Sequence, residues 1–199
     1  EDLKQESLLQ GLKKKPNVTL DGTKVNVYAN IGNVGDVGLA LQNDAGGIGL
    51  FRSEFIYLDA KDFPSEETQF AIYKRVVETM AGKKVVIRTL DIGADKQALY
   101  FGLDKEENPA LGYRAIRICL TRQDIFLQQL RAILRASAYG AVAIMFPMII
   151  SVREVRDAKE LLEKCKAQLR QQGVPMGEVE VGIMIETPAA VMIADELAQ

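Results

Sequence analysis

The chain has 199 residues, of which 48% are hydrophobic and 26% are charged, a composition typical of a folded globular domain. Its formal net charge of −2 provides no basic field of the kind that attracts nucleic acid or anionic lipid. No apolar run approaches the length of a membrane span of about eighteen residues, so nucleic-acid binding and membrane insertion are both disfavoured.

The chemistry of the side chains narrows the possibilities further. There is no histidine, so the most common general base and phosphoryl acceptor is missing from this polypeptide. The two cysteines, Cys119 and Cys165, are far apart and form no CxxC pair. Because the first residues also lack the apolar core of a signal peptide, we expect a cytoplasmic protein.

Short β-branched runs alternate with amphipathic segments from residue 25 onward, which predicts βα units around a parallel sheet. The predicted strands cover residues 25–29, 47–51, 85–90, 142–147 and 179–185. The predicted helices cover residues 36–43, 65–81, 122–138 and 152–172, with a fifth beginning near Ala189. Ser65 and Ser151 stand where a hydroxyl can cap a helix start.

The strands are apolar on both faces, which fits either a doubly wound sheet or a (β/α)8 barrel. Residues 1–24 are rich in lysine and glutamine, and we interpret them as the tail of a linker helix followed by a turn, with the domain proper at 25–199. A complete barrel needs about 250 residues, so about five βα units would leave it incomplete. Residues 187–199 contain no helix stop, which predicts that the domain continues beyond them.

Charged residues stand at the predicted carboxyl ends of three strands, where ligands bind in parallel α/β folds. They are Arg52, Arg88 and Glu186. The long connection at residues 91–112 adds further charged side chains, and Arg114 follows it. A single arginine after a strand is usually part of a surface ion pair, so the prediction depends on these positions being taken together.

This set of side chains predicts a particular kind of ligand. Several guanidinium groups at one cavity repel each other unless an anion lies between them, and their forked donors match phosphate or carboxylate oxygens. A carboxylate such as Glu186 in that setting suits Mg2+, which takes its remaining oxygens from water and substrate. An anion held by arginines and a divalent metal indicates phosphoryl transfer.

Six ordered segments resemble the signature segments of the phosphoenolpyruvate-utilising enzymes, and most closely those of the enzyme I family of the bacterial sugar phosphotransferase system. They are GIGLFRSE at 47–54, IRTLDIG at 87–93, ENPALGYRAIR at 107–117, QLRAILRAS at 129–137, MFPM at 145–148 and MIETPAA at 184–190. The resemblance covers nearly the whole chain.

The resemblance implies a (β/α)8 barrel that binds phosphoenolpyruvate and Mg2+ and passes the phosphoryl group to a histidine on another domain, and then to the carrier protein HPr. Arg52 and Arg88 correspond to phosphate-binding arginines, Arg114 to a further arginine near the substrate, and Glu186 to a metal ligand. No role is assigned to the neighbouring Asp91 and Lys96. Members of the family form homodimers through this domain.

Several parts of the family pattern are missing from the sequence. The phosphoryl-accepting histidine, the later strands and the cysteine that protonates enolpyruvate have no counterpart here, so no catalytic residue is assigned and the 199 residues alone are expected to be inactive. Two alternatives stay open. The parent could be pyruvate phosphate dikinase or phosphoenolpyruvate synthase, or the chain could be a non-catalytic dimerisation module.

Overall fold

The computed structural model describes residues 8–95 and 98–199. Its strands are β1 (Ala29–Ile31), β2 (Ile48–Arg52), β3 (Val85–Arg88), β4 (Val142–Phe146) and β5 (Val179–Ile183). Its α-helices include α1 (Asp36–Gln42), α2 (Glu54–Leu58), α3 (Glu66–Thr79), α4 (Ile116–Thr121), α5 (Gln123–Ala136), α6 (Val152–Gln171), α7 (Pro188–Met192) and α8 (Ala194–Leu197). Short 3-10 helices lie at Leu99–Phe101 and Ser137–Tyr139.

The strand order distinguishes the two folds that the sequence allowed. All five strands are parallel, and they lie in the sheet in the order β1-β2-β3-β4-β5, the same as their order in the chain. A doubly wound sheet reverses direction at a switch point, whereas a barrel adds each strand to the same side. The chain therefore forms consecutive βα units of an incomplete βα barrel.

The two faces of the sheet have different environments because successive side chains point to opposite sides of a strand. Phe51, Ile87 and Ile144 are fully buried under the helices, where α3 packs against α5 and α5 against α6. Arg52 and Arg88 are each one residue further along, so they project from the other face, which is the inner side of the barrel. The helical layer thus orients the arginines by burying their neighbours.

Two of the longer helices begin at the serines predicted to cap them. Ser65 Oγ accepts a hydrogen bond from the Thr68 amide at 3.1 Å. At α6, Ser151 Oγ accepts from the Glu154 amide at 3.2 Å, and the Glu154 carboxylate accepts from the Ser151 amide at 3.1 Å. These bonds satisfy backbone donors that the first turn of a helix leaves without partners.

The strands predicted at 85–90 and 179–185 end earlier, at Arg88 and Ile183, and two further differences from the sequence-based bounds are larger. The first strand was predicted at 25–29 but lies at Ala29–Ile31. Val25 and Val27 alternate as in a strand, yet both are exposed, and the Val25 amide donates to the Asn17 carbonyl instead of to β2. The short helices α2 and α4 were not predicted, because five or six residues are too few to establish a helical period.

Within the predicted linker segment 1–24, residues 8–10 are helical, and Val18 and Lys24 form an isolated antiparallel bridge. Residues 1–7 lie outside the described part of the chain, and the domain boundary at residue 25 stays a prediction. In the described ranges, no helix combines the length and apolar character that crossing a bilayer requires.

Candidate functional site

Arg52 and Arg88 are the last residues of β2 and β3, and they are paired in the register of these adjacent parallel strands. Neighbouring strands lie about 4.8 Å apart, so two cationic side chains start from nearly the same place on the same face. Like charges that face each other across a sheet are destabilising unless something separates or neutralises them. The surroundings of each guanidinium show how this is achieved.

Arg88 is neutralised by two carboxylates of the protein itself. Its Nη2 contacts Glu54 Oε1, and its Nη1 lies 3.2 Å from Asp91 Oδ2. All three side chains are buried. Glu54 and Asp91 therefore contribute to balancing the charge of Arg88, and the anionic ligand expected between the arginines stays a prediction.

Asp91 also joins Arg88 to Arg114. Its Oδ1 accepts a hydrogen bond from Arg114 Nη2 at 2.9 Å, and Asp95 contributes a weaker contact to Arg114 Nη1 at 3.3 Å. Burial alone would lower the pKa of Arg114, but the hydrogen bond to Asp91 and nearby carboxylate charges, including Glu186, raise that pKa above its ordinary value. Arg114 therefore remains a cation within a largely buried site.

Arg52 differs from the other two arginines because its side chain is exposed. The guanidinium lies against Gly32, where an added Cβ would be 2.6 Å from Arg52 Nη2. Asp36 is close by. A hydrogen bond from the Gly32 amide is the main cause that lowers the pKa of Asp36, and the charge of Arg52 contributes. Arg52 is thus directed toward β1, away from Arg88, and is open to an incoming ligand.

The buried arginines retain hydrogen-bond donors that the protein does not use. Arg88 Nε and Arg114 Nε are buried, and neither has a hydrogen-bond partner among the described residues. A buried donor left without a partner is uncommon and calls for an explanation, such as a ligand that completes the hydrogen bonding. The donors fit an anion with several oxygens.

Glu186 stands beyond β5 and is exposed. Its Oε1 accepts a hydrogen bond from the Met148 amide at 2.7 Å, which orients the carboxylate. The described residues contain no cluster of three or more side chains that could hold a metal ion. A single oriented carboxylate nevertheless fits Mg2+, because this ion commonly takes one or two protein carboxylates and completes its octahedron with water and substrate oxygens.

Acidic residues to which the sequence assigned no role pair with two of the predicted arginines, Arg88 and Arg114, whereas Arg52 is directed away from them. Asp91 pairs with Arg88 and Arg114, and Glu54 pairs with Arg88. The sequence feature that could have indicated these two carboxylates is their spacing from the arginines, because Glu54 follows Arg52 by two residues and Asp91 follows Arg88 by three. Lys96, noted in the same connection, lies outside the described residues.

Neither cysteine belongs to this constellation of charged side chains. Cys119 in α4 and Cys165 in α6 are free and buried. Burial raises the pKa of Cys165 to about 11 and raises that of Cys119 as well, so both thiols are protonated near neutral pH. A protonated, buried thiol is a poor nucleophile, which agrees with their lack of an assigned catalytic role.

Comparison with known proteins identifies the family. Residues 6–199 match the family described as "PEP-utilising enzyme, PEP-binding domain". The chain belongs to this family. The match covers nearly the whole chain, including all three arginines and Glu186, and it confirms the resemblance that the six sequence segments indicated.

Curated relatives within the family carry the name phosphoenolpyruvate-protein phosphotransferase. The chain is 53% identical to that of Haemophilus influenzae over 192 residues, which is 96% of this chain and 33% of the relative. It is 50% identical to the protein of Staphylococcus epidermidis over 192 residues and 49% identical to that of Staphylococcus carnosus over 197 residues. These matches cover 96% and 98% of this chain, and 34% of each relative. The chain therefore spans about a third of the length of the curated relatives it matches.

Proposed function

We propose that this chain forms part of the phosphoenolpyruvate-binding site of a phosphoenolpyruvate-protein phosphotransferase. The observation that carries the proposal is the register of Arg52 with Arg88 at the ends of adjacent strands, with Arg114 linked to Arg88 through Asp91. Forked donors on one face of a sheet suit the several oxygens of a phosphate group. The names of the curated relatives support phosphotransferase over the dikinase and synthase alternatives.

In the proposed complex, Arg52 makes the first contact because its guanidinium is exposed, while Arg88 and Arg114 must exchange part of their carboxylate pairing for phosphate oxygens. The buried Nε donors of Arg88 and Arg114 would gain partners in that exchange. Such fixed donors hold the phosphoryl group in line for attack. The protein carboxylates keep the arginines oriented before the ligand arrives.

Glu186 is the residue that would hold Mg2+, and it lies near enough to Arg114 for its charge to contribute to the raised pKa of that arginine. When bound, the metal would neutralise the negative charge that develops on the enolpyruvate oxygen as the bridging P–O bond breaks. The Met148 amide fixes one carboxylate oxygen of Glu186, so the direction of the group is set by the backbone.

The whole protein would transfer the phosphoryl group to a histidine on another domain and from there to HPr. We further propose that it is cytoplasmic, which agrees with two free buried cysteines in a reducing compartment. A homodimer through this domain is supported by the apolar surface of the long connection after β3, where Leu99 and Leu111 are 92% and 80% exposed.

The proposal can be tested by calorimetric titration of the whole protein with phosphoenolpyruvate in the presence of Mg2+. Replacing Arg52 by alanine should weaken binding by about tenfold or more, because charge-assisted hydrogen bonds to phosphate are lost. Arg156, an exposed arginine on α6, provides the control, and Arg156→Ala should bind like the wild type. Unchanged affinity in Arg52→Ala would refute the assignment of this site.

The reaction needs a separate assay, in which the whole protein is incubated with labelled phosphoenolpyruvate and HPr. Appearance of the label on HPr supports the phosphotransferase. Formation of ATP from phosphoenolpyruvate would indicate the dikinase or synthase instead, and absence of any phosphoenolpyruvate binding would favour a non-catalytic dimerisation module.

A further inference from the structure

A fully buried glutamine connects the two strand ends that bear Arg52 and Arg88. Gln129 belongs to α5, and its side chain reaches the carboxyl ends of β2 and β3. Its Oε1 accepts a hydrogen bond from the Leu90 amide at 2.9 Å. Its Nε2 donates to Ser53 Oγ at 2.9 Å and to the Tyr73 hydroxyl at 3.1 Å. The carboxamide therefore satisfies its acceptor and both of its donors away from water.

Ser53 extends this connection to Arg88. The Ser53 hydroxyl donates to the Arg88 carbonyl oxygen at 2.6 Å while it accepts from Gln129. Ser53 directly follows Arg52 in the chain. The Gln129 carboxamide thus binds the Leu90 amide directly and reaches the Arg88 carbonyl through the Ser53 hydroxyl.

These side-chain bonds act where the regular pairing of the two strands ends. The last paired residues of β2 and β3 are Arg52 and Arg88. Beyond them, the Thr89 amide donates to Met145 of β4, so the backbone bond at this point runs toward the other neighbouring strand. The hydrogen bonds of Gln129 and Ser53 consequently join the two strand ends just beyond their last paired residues.

We propose that Gln129 is a positioning residue that fixes the spacing of Arg52 and Arg88 for the phosphate group, acting through Ser53 and the Leu90 amide. The inference rests on the proposed function, because it assumes that both arginines bind the same phosphate. Loss of the Gln129 bonds would let the β2 and β3 ends shift relative to each other. The affinity for an anion that needs both guanidinium groups would then fall more than the affinity for an anion that needs neither.

The same polar network contains a matched control. Gln69 on α3 is also fully buried, and its Oε1 accepts from the hydroxyls of Tyr57 and Tyr73 at 3.1 and 3.2 Å. Its Nε2 donates to the Pro64 carbonyl at 3.0 Å. Gln69 therefore shares Tyr73 with Gln129, but among the described residues it forms no hydrogen bond with Ser53, Arg88 or Leu90.

The test compares Gln129→Met with Gln69→Met in the whole protein. Methionine keeps the length of the side chain but removes its hydrogen bonds, so both changes should lower stability in urea unfolding. Calorimetry then measures the affinity for phosphoenolpyruvate and for oxalate, a dianion that resembles enolpyruvate without its phosphoryl group, each with Mg2+. We expect Gln129→Met to weaken phosphoenolpyruvate binding by about tenfold and oxalate binding by less than about twofold. Gln69→Met should change neither affinity by more than about twofold.

Equal losses of phosphoenolpyruvate affinity in the two variants would overturn the inference, as would a parallel loss of oxalate affinity in Gln129→Met, because either result would indicate a general structural role. If Gln129→Met does not fold, Ser53→Ala provides a second test, because it removes the hydrogen bond to the Arg88 carbonyl and the acceptor of one Gln129 donor. It should weaken phosphoenolpyruvate binding about threefold with oxalate binding unchanged. Unchanged phosphoenolpyruvate affinity in Ser53→Ala would then overturn it.

These outcomes are separable from failure of the proposed function. A wild-type protein that does not bind phosphoenolpyruvate would overturn the proposed function, and the positioning role would fall with it. A wild-type protein that binds phosphoenolpyruvate, with Gln129→Met binding it as tightly, would overturn only the role of Gln129.

Discussion

At the residue scale, the site is a set of alternating positive and negative side chains. Arg88 and Arg114 share Asp91, and Glu54 gives Arg88 a second carboxylate. Burying such charges costs free energy unless each has a partner of opposite charge. Removing one partner leaves an uncompensated buried charge, which destabilises the fold. The pairing therefore stabilises the cationic side chains of Arg88 and Arg114 in a buried site.

Glu186 provides the residue-scale prediction about the metal. Replacing it by glutamine removes one negative charge but retains an oxygen that can accept the Met148 amide, so the backbone should be undisturbed. Because replacing even a residue that only supports a metal ligand costs about 10- to 100-fold in metal affinity, we expect Glu186→Gln to weaken Mg2+ binding by at least about tenfold. Calorimetric Mg2+ titration in the presence of phosphoenolpyruvate measures the effect.

A charge-matched variant controls for the general electrostatic field. Glu180 lies in β5 and is bound to Lys84 Nζ at 2.7 Å. Glu180→Gln removes the same charge from the strand that precedes Glu186, and we expect Mg2+ affinity to remain near that of the wild type. Equal Mg2+ affinities in Glu186→Gln and the wild type would refute the role of Glu186.

At the element scale, the approach of β2 to β3 depends on a residue without a side chain. The Lys84 carbonyl accepts a hydrogen bond from the Ile48 amide at 2.8 Å, just where β2 begins. A Cβ added to Gly47 would lie 2.6 Å from that carbonyl oxygen, which is backbone and cannot turn aside. Gly47 therefore permits the strand spacing that places Arg52 beside Arg88.

We expect Gly47→Ala to lower the free energy of unfolding by about 1–3 kcal/mol, because the β2 and β3 backbones must separate to admit the methyl group. Gly38, in the exposed part of α1, has nothing within 4 Å of an added Cβ. Gly38→Ala should raise the free energy of unfolding by about 0.5–1 kcal/mol through helix propensity. Urea unfolding of the two variants measures both shifts, and a Gly47→Ala protein as stable as the wild type would contradict the strand-spacing argument.

At the scale of the whole molecule, the sheet is open on both sides. Among the described residues, β1 pairs only with β2 and β5 pairs only with β4. Ile185, Val191 and Met192, which follow β5, are exposed apolar side chains. An unpaired strand edge beside apolar surface is a template for association with another chain.

The 199-residue chain produced on its own should therefore self-associate. Light scattering coupled to size-exclusion chromatography should give a mass above 22.0 kDa that increases with concentration. A second sample carries Gly182→Lys, at an exposed position of β5 where an added Cβ has nothing within 4 Å. A charge on an edge strand blocks pairing with another edge, so this change should reduce the measured mass. A constant mass of 22.0 kDa at every concentration would show that the edges do not drive association.

Much of the architecture followed from local patterns in the sequence. The alternation of β-branched runs with amphipathic segments determined the βα units, and the serines before α3 and α6 marked helix starts. Arg52, Arg88 and Glu186 could be selected as site residues because the carboxyl ends of parallel strands meet at one edge of a sheet. Periodicity and chain order are enough for these conclusions, since each depends on residues close together in the chain.

The tertiary structure decided what depends on contacts between distant residues. Strand order separated the barrel from the doubly wound sheet, because both have the same local pattern. Gln129 is 39 residues from Leu90 and 76 from Ser53, so no sequence spacing connects them. The neutralisation of Arg88 by Glu54, 34 residues away, likewise depends on how adjacent βα units pack. The sequence by itself determined which charges stand at the carboxyl ends of the strands, and the packing decided which of them pair, because pairing depends on distance in space.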